Sequence, residues 1–265
     1  DPMRIVTWNI NSVRLRMPIV EKLAQQVSPD VICLQETKVH DDQFPFKDVQ
    51  ALGYPHIAIN GIKGYNGVCI LSKHPLKDIG SHTWTGKADG RHIYATLPNG
   101  VEVHSLYVPA GGDEPDRAIN DKFGHKLDFV DEMAVWFGQN RKATDKIMVM
   151  GDLNIAPLEH DVWSHKQLLK IVSHTPIEVE KFNAAQTAFG WIDCMRKFVP
   201  DEEKLYTWWS YRSKDWRAAN KGRRLAHAWA TPPLADQVTA MQVLSDARDW
   251  EKPSDHVPVI LDLAG

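Results

Sequence analysis

The chain has 265 residues, 43% of them hydrophobic and 25% charged, and a formal net charge of −3. That length and balance suit a folded chain with a sizeable core, and they exclude disorder, a collagen-like repeat and a wholesale polycation that coats nucleic acid. No apolar run approaches the ~20 residues a helix needs to cross a bilayer, so no membrane partner is expected.

Asp1-Pro2 reads as a cloning remnant ahead of a natural start at Met3. Residues 3–265 read as a single domain, because no repeat or Gly/Ser-rich linker divides them. Strands are predicted at Met3–Ile10, Val31–Glu36, His56–Asn60, Val68–Ser72, His92–Leu97, Val101–Val108, Lys146–Leu153, Leu205–Tyr211, Leu225–Ala230 and Val257–Leu263. Their marks are β-branched and aromatic residues with Gly or Pro punctuation. Apolar spacing of three and four predicts helices at Arg14–Val27, Asp116–Phe137 and Pro176–Phe189. Helices between so many strands predict an α/β fold, with two sheets packed face to face and helices outside. Cys33, Cys69 and Cys194 lie far apart in apolar surroundings. An odd, unspaced set reads as reduced thiols of a cytoplasmic protein rather than a disulfide framework or a zinc site.

Polar groups fall at the ends of apolar strands. Ile5–Trp8 stops at Asn9, Val31–Gln35 at Glu36, Val103–Leu106 at Tyr107, and Ile147–Gly151 at Asp152 and Asn154; Asp255-His256 precedes the last strand. An unpaired buried polar group costs roughly 1–3 kcal/mol, so five such ends are best explained by convergence on one polar pocket. Glu36, Asp152 and Asp255 with Asn9 and Asn154 make a hard-oxygen set suited to Mg²⁺ or Mn²⁺. A hard cation among carboxylates, beside a His and a Tyr, fits phosphodiester hydrolysis.

At these residues the chain resembles a known family. Thr7-Trp8-Asn9-Ile10-Asn11-Ser12, Leu34-Gln35-Glu36-Thr37-Lys38, Lys63-Gly64-Tyr65-Asn66-Gly67-Val68, Gly151-Asp152-Leu153-Asn154 and Ser254-Asp255-His256-Val257-Pro258 look like the exonuclease III family of apurinic/apyrimidinic (AP) endonucleases, over essentially the whole chain. The resemblance implies a four-layer α/β sandwich of two packed mixed β-sheets flanked by helices. It implies a monomer of bacterial type that incises duplex DNA 5′ to abasic sites, leaves a 3′-hydroxyl, and trims or cleans blocked 3′ ends. By resemblance Glu36 is the principal Mg²⁺ ligand, with Asn9 and Asp255 beside it and Mn²⁺ able to substitute. Asp152 positions or activates the attacking water, Asn154 helps hold it, and His256 and Tyr107 meet the scissile phosphate. One metal or two remains open.

The segment Tyr206–Arg224 holds Arg212, Lys214, Arg217, Lys221, Arg223 and Arg224 against one acid, Asp215. Cations interleaved with Trp208, Trp209, Tyr211 and Trp216 suit DNA. The alternative is a solvated loop over core tryptophans. The resemblance makes Trp208 and Leu225 walls of a pocket for a flipped-out abasic sugar. Lys63, Tyr65 and Asn66 offer a loop that can approach a DNA backbone, or else a plain hairpin turn. Val162–Ser173 lies where family members present a DNA-groove loop.

One position departs from the pattern. Where Ala226 stands, the family has an aspartate that orients the catalytic histidine, here His256, and stabilises its charged form. Engineering or natural divergence would each explain the alanine, and the Asp1-Pro2 remnant favours engineering. Two rival readings stand beside the repair nuclease: a phosphatase or phosphodiesterase for small phosphoesters, and a DNA-binding protein without catalysis.

Overall fold

The computed structural model describes residues 2–265. Asp1, and with it half of the expected cloning remnant, lies outside the described residues. Twelve strands are formed: β1 (Met3–Asn9), β2 (Val31–Gln35), β3 (His56–Asn60), β4 (Val68–Ser72), β5 (Lys77–Gly80), β6 (His92–Thr96), β7 (Glu102–Tyr107), β8 (Ile147–Asp152), β9 (Ile192–Asp193), β10 (Ala226–Ala230), β11 (Val238–Val243) and β12 (Val259–Leu263). They build two six-stranded sheets, ordered β3-β4-β2-β1-β12-β11 and β5-β6-β7-β8-β10-β9. In each sheet the middle pair, β1 with β2 and β7 with β8, is parallel and every other pair is antiparallel. Both sheets are therefore mixed, as expected, and they share one pattern of strand directions.

The longer helices are α1 (Met17–Val27), α2 (Phe46–Ala51), α3 (Asp121–Asn140) and, after the four-residue α4 (His165–Leu168), α5 (Pro176–Phe189). Ile5, Cys33, Ile70, Val103, Met148, Met150 and Ala228 share one core. Their positions on β1, β2, β4, β7, β8 and β10 place it between the sheets. On the far side of the first sheet, Val20 and Leu23 of α1 pack with Trp8 and Ile32. On the far side of the second, Phe129, Met133 and Phe137 of α3 and Phe182 and Phe189 of α5 pack with Val149 and Trp229. Near the site, Gln35 bridges the sheets: its Nε2 donates to Thr7 Oγ1 and to Ser105 Oγ, each at 3.1 Å.

Local chemistry sets the helix boundaries. α1 begins three residues later than predicted, at the turn that Pro18 permits. α3 starts at Asp121 rather than Asp116 because the Asn120 side chain caps it by accepting from Lys122 N. α5 keeps its predicted bounds, with a Thr175/Glu178 capping box and a left-handed Gly190 after it.

The predicted strand Leu205–Tyr211 is not formed. That backbone makes only isolated bridges, Trp208 to Arg223 and Trp208 to His256. Tyr206 and Trp209 turn into the core under the first sheet while Trp208 stays partly exposed, so the segment packs by side chains instead of extending a ladder. Strands β5, β9 and β11 were not predicted. They are edge strands; β9 has two residues, and β5 and β11 pair with shifted register.

Candidate active site

The two parallel pairs end at the same place. In register, Asn9 faces Gln35 at the ends of β1 and β2, and Tyr107 faces Asp152 at the ends of β7 and β8. Parallel sheets open binding crevices at the carboxyl ends of their strands, where the chain turns away and leaves polar ends free. At Gly151 φ is +159°, and a Cβ there would lie 1.8 Å from Leu106 O. Only glycine lets β8 approach β7 closely enough to set Asp152 beside Tyr107. Glu36 and Asn154 follow at φ +52° and +54°, a costly region for residues with a side chain and one that concentrates at functional sites.

Asn9 holds the centre. Its Nδ2 donates to Glu36 Oε1 and to Asp152 Oδ2, both at 2.8 Å, while its Oδ1 accepts from Asn11 N. Its amide nitrogen thus faces the carboxylates it was expected to join as a ligand. Glu36, Asp152 and His256 each offer a ligand atom, all within 4.8 Å of one another. His256 Nε2 lies 3.5 Å from Asp152 Oδ2 and 4.0 Å from Asp255 Oδ1. Asp255 is also tied to the aromatic wall, accepting from Trp208 Nε1 at 3.0 Å. Two carboxylates within reach of one point, with a third behind the histidine, fit a hard divalent cation.

Burial and the neighbouring Glu36 push the Asp152 carboxyl up to about 6, against the pull of His256 and Asn9. Burial first, then Glu36 and Asp152, holds the Tyr107 phenol well above its ordinary range, so it stays a donor. The Arg91 guanidinium sits 5.1 Å over the Tyr107 ring, and Tyr107 N donates to Arg91 O. Asn154 Nδ2 donates to Val108 O at 2.7 Å, and its backbone N donates to Asp152 Oδ1. The backbone of His256 is fixed from both sides: its carbonyl accepts from Trp8 Nε1, and Ser254 Oγ accepts from its N while donating to Asn9 O. Its ring Nδ1 is buried with no hydrogen-bond partner among the described residues.

These groups line a cavity of about 380 Å³ together with Trp208, Leu225 and Arg223. The structure thereby brings Glu36, Tyr107, Asp152, Asn154, His256, Trp208, Leu225 and Arg223 to one opening, with Asn9 and Asp255 directly behind. Ala226 is buried and faces Asp152 across the β10–β8 register. Ile171–Ser173, the end of the anticipated 162–173 loop, completes the rim.

Several anticipated DNA contacts lie elsewhere. Arg212 is exposed and off the cavity. Lys63 and Tyr65 stand exposed on their loop. Asn66 is buried, donates to Asp89 O and accepts from Lys38 N, so it clasps the loop to the turn after Glu36. Arg224 is corrected outright: it is fully buried and paired with Asp161 and Asp193, a structural ion cluster. Arg217 is tied to Asp246 and Asp249, and Trp209 and Trp216 are core residues. Arg91 carries no local sequence signal, because its contact with the Tyr107 ring is made across 16 residues.

Over residues 6–256 the sequence matches the endonuclease/exonuclease/phosphatase family, and the chain belongs to it. Exodeoxyribonuclease III of Haemophilus influenzae is 32% identical over 268 residues, covering 97% of this chain and 98% of that one. An AP endonuclease from Archaeoglobus fulgidus superposes with a TM-score of 0.91 at 32% identity, covering 98% of each chain. A 3′ phosphatase from Neisseria, solved with a product DNA hairpin, superposes at 0.90 with 29% identity over 99% of this chain and 100% of that one.

Proposed function

We propose that residues 3–265 act as one Mg²⁺-dependent DNA-repair phosphodiesterase that incises duplex DNA 5′ to abasic sites, leaves a 3′-hydroxyl, and removes blocking groups or nucleotides from 3′ ends. The enzyme works as a monomer in the bacterial cytoplasm. One observation carries the reading: the carboxylate–histidine cluster and the Trp208–Leu225 wall share a single cavity with Arg223 at its edge. The names of the relatives, an exodeoxyribonuclease, an AP endonuclease and a 3′ phosphatase, support DNA as the substrate.

The residues divide the work. Asp152, with its carboxyl pushed up to about 6, accepts a proton from the attacking water near neutral pH. Asn154 holds that water. His256 and the protonated Tyr107 donate to the phosphoryl oxygens as negative charge develops there. Arg223 takes a neighbouring phosphate, and Trp208 and Leu225 enclose the extruded abasic sugar, whose lack of a base makes extrusion cheap. Lys63 and Tyr65 on their loop, and Arg212, follow the backbone farther out. Glu36 with Asp255, steadied by Asn9, would hold the Mg²⁺, which when bound would neutralise charge developing on the phosphate.

The unpartnered His256 Nδ1 supports an aspartate at position 226 in a parent form, replaced here by engineering or by divergence, and a weakened enzyme as the result. The experiment compares a duplex carrying one abasic analogue, an intact duplex and a duplex ending in 3′-phosphate, each with Mg²⁺ and with EDTA, for this chain and for Ala226→Asp. Cutting at the abasic site that EDTA abolishes is expected. Binding without cutting by both proteins would leave a DNA-binding module, and absence of DNA binding would leave a small-phosphoester enzyme.

A further inference from the structure

Two charged residues lie one layer behind the cavity, outside the machinery above. Lys126 of α3 and Glu178 of α5 are both fully buried. Lys126 Nζ donates to Glu178 Oε2 at 2.5 Å, to Asn154 O at 2.7 Å and to Ala110 O at 3.1 Å. Those three bonds use all of its donors, and each acceptor lies on a different segment. Glu178 Oε1 accepts from Ser173 N at 2.9 Å and from Thr175 Oγ1 at 2.7 Å, and its Oε2 also accepts from Ser173 N. Ser173 Oγ then accepts from Arg223 Nη1 at 3.0 Å, and Val172 O accepts from the same nitrogen.

Ala110, Asn154, Ser173 and Arg223 all line the cavity. The ion pair thus stands one bond behind lining residues from the loops after β7 and β8 and from the 162–173 loop, and two bonds behind Arg223. Asn154 and Ser173 are non-glycine residues at φ +54° and +102°, backbone that relaxes unless its surroundings hold it. Each is clamped by one end of the pair: Lys126 holds the Asn154 carbonyl, and Glu178 holds the Ser173 amide. A buried ion pair is a poor device for stability alone, since apolar residues of similar volume do as well or better. Its bonds here go to loop backbone at the cavity wall.

We infer that Lys126 and Glu178 are positioning residues for phosphodiester hydrolysis, a joint clamp that fixes Asn154 toward the attacking water and holds the Ser173–Arg223 rim toward the phosphate. The inference rests on the nuclease reading of the cavity for its catalytic consequence, and on the hydrogen bonds alone for its structural one. Lys126→Met combined with Glu178→Gln removes both charges at similar volume and leaves no buried charge uncompensated. Glu178→Gln alone would strand the Lys126 charge, so the second variant is Lys126→Gln combined with Glu178→Gln, a neutral amide pair whose shorter side chain at 126 cannot serve three acceptors; it serves if the first double variant does not fold.

Three measurements are made on each protein, in the present chain and with Ala226→Asp added: thermal melting, kcat and KM on an abasic duplex, and spectra of ¹⁵N-asparagine-labelled protein. Melting within about 4 °C of the parent is expected for the double variant. Its kcat is expected to fall about 10²-fold, the cost of a ~1 Å misplacement, while KM changes less than threefold. The backbone and side-chain signals of Asn154 shift or broaden while those of Asn9 hold. Either double variant, folded and with parental kcat and unchanged Asn154 signals, overturns the inference. If no parent cuts the abasic duplex but Asn154 responds, the nuclease reading fails and the clamp stands. If the parents cut and Asn154 does not respond, the clamp fails alone.

Discussion

Replacing Ala226 with aspartate should raise single-turnover incision about 10²- to 10³-fold, with 10⁴ as the ceiling set by loss of the orienting aspartate in a serine-protease triad. The site is prepared for it. His256 Nδ1 is buried without a partner, and position 226 is buried opposite Asp152. A carboxylate accepting from that ring nitrogen forms a charge-assisted bond worth about 1.5–3 kcal/mol. Two unit charges ~4 Å apart at an effective dielectric of about 20 attract by about 4 kcal/mol, which bounds what a fully charged imidazole can gain. Since ~1.4 kcal/mol is tenfold in rate, a gain of 3–4 kcal/mol in the transition state gives the stated range. Part is offset, because facing Cβ atoms in a sheet are only ~5 Å apart and the new carboxylate repels Asp152. The added charge should also loosen DNA binding slightly. The assay follows an end-labelled duplex with one abasic analogue at saturating enzyme, alongside the dissociation constant in Ca²⁺. Equal single-turnover rates for the two proteins, or a gain explained wholly by tighter binding, would refute the reasoning.

Asp152→Asn should abolish incision yet stabilise the protein in EDTA at neutral pH. The folded state holds the Asp152 proton up to about 6 whereas the unfolded chain releases it near 3.9, so ionisation opposes folding. Stability tied to this group is intact below ~4 and declines as pH rises through ~6, by about 3 kcal/mol in all. The variant's melting temperature should be higher at pH 7 and flatter across that window, and a lower one refutes the assignment. Arg224→Met strands Asp193 and leaves Asp161 only Arg196 as a cation, and should cost about 3–5 kcal/mol in urea unfolding. Lys221→Ala removes an exposed cation over the Trp163 ring; it should change unfolding by no more than about 1 kcal/mol and reduce the salt slope of DNA binding by ~0.9, and an unchanged slope refutes a phosphate contact. Trp208→Ala should weaken binding to an abasic duplex more than to an intact one, read by competition titration.

The site was legible wherever a local signal marked it. Asn9, Glu36, Tyr107 and Asp152 each interrupt an apolar run, and a strand that ends on a polar group reveals its end without knowledge of its partners. The helix α5 was legible for a similar reason, because Thr175, Glu178 and Gly190 write both of its ends locally. What escaped depends on partners far along the chain. Arg224 looked like a phosphate contact because its acids, Asp161 and Asp193, are 63 and 31 residues away. The Lys126–Glu178 bond spans 52 residues, so nothing near either residue announces it. Trp208 and Trp209 are neighbours in sequence, yet one lines the cavity and the other fills the core. Sheet order and the shifted register of β11 are pairing outcomes that no single segment encodes.

The three thiols record how the two halves hold together. Cys33 and Cys69 lie on β2 and β4 of one sheet and Cys194 just after β9 of the other, all buried, and burial raises all three far above the ordinary thiol range. A thiolate is the form that alkylates, so the native protein should be silent to an alkylating reagent and modification should wait on opening. Peptide-resolved alkylation kinetics then become a clock with a hand in each sheet. Equal rates at the three positions mean that the sandwich opens as one unit. A faster Cys194 means that the sheet carrying Asp152 comes apart first, and active-site geometry is lost before the rest of the molecule yields.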